Sequence, residues 1–151
     1  MLQEVEAGER LLQAAKRRDW AEVKALLAAG APTTAADEDG TALHYAVEAG
    51  ALDTVKLLLL LGADPKAECW RGSPLTCAFF DQYYEPKPEH DIDLEIIQAL
   101  VTVGVDPNRG NIYDCAHFPG YTLMHVAALE NADYIIKALI DIGANMEVRA
   151  A

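Results

Sequence analysis

The chain has 151 residues, 24 acidic against 12 basic side chains, a net charge of −12 and 52% hydrophobic residues. That length and balance suit one compact soluble domain, and the charge disfavours a nucleic-acid backbone or an anionic membrane surface as partner. The longest leucine run, Leu57–Leu61, is five residues, against the roughly 20 apolar residues of a membrane span. Met1 to Glu6 show neither the basic start nor the apolar stretch of a signal peptide, and three cysteines suit free thiols in a reducing cytoplasm.

In chain order, the first helical pattern carries Leu11-Leu12-Gln13-Ala14-Ala15, with Glu9, Arg10, Gln13, Lys16 and Arg17 giving it a wet outer face. A second helix closes at Leu26-Leu27-Ala28-Ala29-Gly30-Ala31-Pro32. Turn chemistry in Asp37-Glu38-Asp39-Gly40 leads into Thr41-Ala42-Leu43-His44-Tyr45-Ala46. Apolar spacing predicts helices over 41–49 and 52–61, the latter ended by Gly62, where a left-handed residue is wanted. Ser73-Pro74-Leu75-Thr76-Cys77-Ala78 opens the next pattern, which Pro86 and Pro88 interrupt, so 81–91 is expected as an extended loop or displaced helix end. After Leu100 to Gly104 comes a second interruption within 108–121, and helical spacing then resumes over 122–130 and 133–142.

These segments are copies of one unit. Ala14, Ala46 and Ala78 are 32 residues apart, whereas Ala78 to Ala127 is 49. Opening Ala to closing Gly is 16 residues in three units and 26 in the third, so ten residues are inserted there. The connection from closing Gly to the next Thr or Ser is 11 residues twice and 18 between Gly104 and Thr122, which places seven more. Neither helix of a unit buries its apolar stripe alone, so the units must stack.

The recurring words resemble the ankyrin repeat family, best in Asp39-Gly40-Thr41-Ala42-Leu43-His44-Tyr45-Ala46 followed by Leu59-Leu60-Leu61-Gly62-Ala63-Asp64. The third unit departs by carrying Thr76 where the His stands, and the first lacks the Thr-Pro-Leu-His word, as suits an N-terminal cap. The resemblance implies an all-α fold, an ankyrin-repeat α-solenoid of helix-turn-helix units with hairpin-like fingers. Residues 1–151 then form a single domain with repeats at about 9–40, 41–72, 73–121 and 122–151 and insertions near 81–91 and 108–121. It also implies that His44 and His125 brace neighbouring turns. The last unit is as apolar as an internal one and stops about two residues short of its period, pointing to a truncated or covered end and to a monomer or a dimer through that face.

In such folds a concave groove between finger tips and first helices holds partners. Laid onto this chain, the groove takes Asp37, Glu38, Glu48, Trp70, Arg71, Phe80, Asp81, Phe118, Tyr121, Leu129 and Glu130, with Tyr83 and Tyr84 on the first insertion as a further contact patch. Packing between units is the competing role for Phe80 and Leu129. Residues 1–24 are charge-neutral, so the whole −12 lies beyond them, and 81–95 hold six acids and one base.

Catalytic, metal and cofactor sites are not expected. Cys115, His117 and His90 lack metal-ligand spacing, Asp114, Cys115 and His117 are too close in sequence to converge as a nucleophile site, and no phosphate-cradling glycine motif occurs. The leading function is a non-enzymatic, cytoplasmic scaffold holding a basic-faced protein in an acidic, aromatic-dotted groove. The alternative is an acidic inhibitor or immunity-type protein that neutralises a basic toxin or enzyme.

Overall fold

The structure, a computed structural model, describes residues 2–69, 72–80, 85–105 and 123–143. Among these, eight helices form four consecutive antiparallel pairs: α1 (Leu2–Lys16) with α2 (Trp20–Ala28), α3 (Ala42–Ala49) with α4 (Leu52–Leu60), α5 (Pro74–Phe79) with α6 (Leu94–Thr102), and α7 (Leu123–Leu129) with α8 (Asp133–Asp141). The first helices of successive pairs pack together, α1 on α3 on α5, and so do the second helices, α2 on α4 on α6. The result is the two-layered all-α stack that the repeat implied. Between α2 and α3 a small finger projects, where β1 (Ala36–Asp37) pairs antiparallel with β2 (Gly40–Thr41).

The period is visible in the backbone. Four residues after the opening Ala of the first, second and fourth units the chain turns through a left-handed residue, at Arg18 (φ 59°), Gly50 (φ 74°) and Asn131 (φ 55°). Directly after each of these corners, the N–H of Asp19, Ala51 or Ala132 donates to the opening carbonyl of Ala14, Ala46 or Ala127 at 2.9–3.0 Å. The second helices start at Asp19, Ala51, Asp93 and Ala132 as N-caps and each closes on a positive-φ glycine eleven residues on, at Gly30, Gly62, Gly104 and Gly143. Asp19 and Asp93 cap by accepting backbone N–H bonds, at 3.2 Å from Glu22 and at 3.0 Å from Glu95. One continuous core runs through all four pairs, with Leu11, Leu43, Leu58, Leu75, Phe79, Ile97, Leu100, Ile135 and Leu139 at 0–1% exposure.

Two boundaries differ from the sequence expectation. Helix α1 begins at Leu2, ahead of the first repeat at about residue 9, and Gly8 within it is a close-approach residue. A Cβ there would lie 2.8 Å from Ala35 Cβ, so the missing side chain lets α1 pack on the strand-leading segment. In the third pair, α5 is only six residues long. Phe80 leaves the helix as extended chain (φ −129°, ψ 146°) and bridges to Pro86, and the Lys87 N–H returns to the Phe79 carbonyl at 2.8 Å. A 3-10 turn over Glu89–Asp91 then delivers the chain to the Asp93 cap. All ten inserted residues therefore fall between Ala78 and Asp93, and α6 keeps the regular length. The second expected insertion, 108–121, lies outside the described residues.

The first insertion does more than fill space. The Lys87 ammonium donates to the Glu48 carbonyl at 2.7 Å, in the last turn of α3, and the Lys87 carbonyl accepts the Tyr134 hydroxyl of α8 at 2.6 Å. A cation at a helix C-terminus satisfies an otherwise orphaned carbonyl and complements the helix dipole. In a simple solenoid each unit touches only its neighbours; here one residue joins the second pair to the fourth across the third.

Candidate interaction surface

The finger and the first helices build the surface to which the repeat geometry assigns partners. Lys16 ends α1, Asp37 lies in β1 and Tyr45 projects from α3; their side chains converge. The Lys16 ammonium is 2.7 Å from an Asp37 carboxylate oxygen, and the Tyr45 hydroxyl donates to the same carboxylate at 2.8 Å. The Asp39 N–H adds a bond to Asp37 Oδ1 at 2.9 Å, closing an Asx turn that sets the finger tip. Burial pushes the Asp37 carboxyl up, but the bonds from Lys16, Tyr45 and Asp39 outweigh it and hold the group below the usual carboxylate range. The Lys16 ammonium is raised in turn, chiefly by its bond to Asp37.

The next finger is fastened from below by His44, fully buried at the start of α3. Its Nδ1 accepts the Thr41 N–H at 3.0 Å, which leaves the proton on Nε2, and Nε2–H donates to the Gly72 carbonyl at 3.1 Å. The bracing role implied by the repeat is thus present. Gly40 makes it possible: with φ +118°, a Cβ at this position would come within 2.6 Å of His44 Cγ. In the third pair the matching residue is Thr76, 2% exposed, whose hydroxyl has no hydrogen-bond partner among the described residues.

Of the expected contact residues, Asp37, Glu38, Glu48, Phe80, Leu129 and Glu130 lie among the described residues. Glu38 is exposed at the tip of the first finger. Glu48 lies apart from it, on a cleft of about 350 Å³ with Arg18, Pro86, Lys87 and Asp91, at the opposite end of α3. Phe80 is a correction: it is 1% exposed and belongs to the core, because α5 ends before it and the returning strand at Pro86 covers it. Leu129, its counterpart in the fourth pair, is 56% exposed. Trp70, Arg71, Asp81, Tyr83, Tyr84, Phe118 and Tyr121 lie outside the described residues.

Sequence reasoning missed Lys87, Tyr45 and Lys16. A signal existed for each. Lys87 is the one base between Asp81 and Glu95, set between two prolines, and Tyr45 stands three residues before Glu48, on the same helical face. Lys16 occupies in α1 the position that Glu48 occupies in α3, two residues after the opening Ala.

Among the described residues no group of three or more His, Cys, Asp or Glu side chains could hold a metal ion, and no helix is long and apolar enough to cross a membrane. Comparison with curated proteins finds no match to the sequence. Residues 2–69 match the family model for ankyrin repeats (three copies), a stretch that ends before either insertion. Repeats of this kind are in general protein–protein interaction modules without catalytic activity. That match, the helix pairs and the His44 brace together support an ankyrin repeat family for this chain.

Proposed function

We propose that this chain is a non-enzymatic protein-binding module of four ankyrin repeats, at about 9–40, 41–72, 73–121 and 122–151, whose partner presents a basic face to the finger side. The observation that carries this reading is the locked first finger. Lys16, Tyr45 and the Asp39 N–H hold Asp37 from three sides, so Glu38 is presented on a pre-ordered tip, and little conformational entropy remains to be lost on binding. The finger acids and the −12 charge would steer a basic partner toward this edge. Trp70, Arg71, Phe118 and Tyr121 are proposed as the aromatic and arginine anchors, with Asp81, Tyr83 and Tyr84 as the contact patch of the first insertion. Glu48 is proposed at its rim. Two cysteines, Cys69 and Cys77, are buried, and an odd count of three cysteines supports work in a reducing compartment such as the cytoplasm.

The test is affinity capture followed by titration of the purified captured protein against Glu38→Lys, Trp70→Ala and Tyr121→Ala. The reading expects Glu38→Lys to slow association and weaken binding by about tenfold at low salt, and at least one aromatic variant to weaken it more. Binding by all three variants at wild-type affinity would overturn it.

A further inference from the structure

The second helices form the face opposite the fingers, and there the described residues leave an apolar groove of about 690 Å³ between α4 and α6. Lys56, Leu59 and Leu60 line one wall, Glu95, Ala99 and Val103 the other. Leu60 is 82% exposed, with Leu61 at 48% and Val103 at 46% beside it. The stack does not require a leucine at this point, since the corresponding residue of the other second helices is Ala28, Thr102 or Asp141.

We propose that this groove is a self-association surface, filled by Leu60 of a second copy of this chain. Shape and charge both argue for a copy of the same surface. A protruding leucine forms part of one wall of a hollow with room for several side chains, and a two-fold axis makes such a pair reciprocal, each knob entering the other's hollow. Lys56 lies on one wall and Glu95 on the other, and neither joins an ion pair among the described residues. The same two-fold sets Lys56 against Glu95 of the second copy, twice. An unrelated helix would need both charges in the right order; this chain already has them. Eight lining residues are fewer than the roughly 20–30 a side of a stable complex, so the dimer is weak, with Kd of about 10–200 µM. The surface lies on α4 and α6, away from the fingers, so it leaves the partner edge free.

Sedimentation velocity of the full 151-residue chain from about 5 to 500 µM at physiological salt tests this. The expected result is a concentration-dependent dimer that Leu60→Asp abolishes, the substitution lying outside the core, with helicity retained by circular dichroism. Lys56→Glu and Glu95→Lys each weaken the dimer about threefold or more, and the double reversal restores it. Ile140→Asp, on the exposed side of α8, leaves it unchanged. A monomer across the range overturns the proposal, as does dimerisation that survives Leu60→Asp, that Ile140→Asp abolishes or that the double reversal fails to restore.

Discussion

The first two helix pairs and the last two solve the same packing problem by different means. In the first half, successive units are joined by residues that the repeat itself supplies: His44 reaches the Gly72 carbonyl of the next finger, and Lys16 and Tyr45 clasp Asp37 between α1 and α3. In the third unit the His position holds Thr76, whose buried hydroxyl makes no bond among the described residues, and α5 stops two residues early relative to α3. Among the described residues a connection there comes from outside the repeat, through Lys87 on the insertion. A repeat stack can thus lose a brace at one interface if an inserted segment supplies another. The replacement reaches farther than the original, because a loop is not confined to neighbours.

The contrast can be broken most forcefully at Phe80. If the insertion has converted a groove position into core, Phe80→Ala costs about 3–4 kcal/mol in urea unfolding, whereas a true surface contact would cost almost nothing. Next comes the regular half. Gly40→Ala would force a Cβ into the His44 ring at φ +118°, and the loss of the brace together with backbone strain is expected to cost about 2–3 kcal/mol. Thermal unfolding would show whether the first half depends on that one position.

Smaller effects separate the clasp from the orphan hydroxyl. The folded pKa of Asp37 is depressed below 3.8, so its stabilisation is present above the unfolded value and is lost as pH falls through the folded one. Asp37→Asn should therefore cost up to about 1 kcal/mol near pH 7, with the difference from wild type vanishing as pH drops well below 3.8. Thr76→Val removes a buried hydroxyl that has no partner among the described residues. It should leave stability unchanged or raise it by up to about 1 kcal/mol, the reverse of what the same change would do at a bonded threonine.

Much of the fold was legible before any coordinates. Helices α3, α4, α7 and α8 begin within a residue of the expected positions because opening Ala and closing Gly mark residues with definite backbone duties. The same spacing counts ten extra residues between Ala78 and Gly104. The site was less legible, for physical reasons. Periodicity tells which face of a helix a residue occupies, but not what an inserted segment will lay over that face, so Phe80 read as groove and proved to be core. Repeat geometry lays Glu38, at a finger tip, and Glu48, on a first helix, along one groove; they stand near opposite ends of α3. Lys87 carried no repeat signature, and its partners Glu48 and Tyr134 are 39 and 47 residues away.

The central claim is that Lys87 makes one connection between the second and fourth units, and a double-mutant cycle on Lys87→Met and Tyr134→Phe tests it most directly. Each single change should cost about 1 kcal/mol in urea unfolding. If the strap acts as a unit, releasing either end slackens the other, and the double variant should lose less than the sum, with a coupling of about 0.5 kcal/mol or more. Additivity within about 0.3 kcal/mol would contradict the account and reduce Lys87 to two unrelated local bonds.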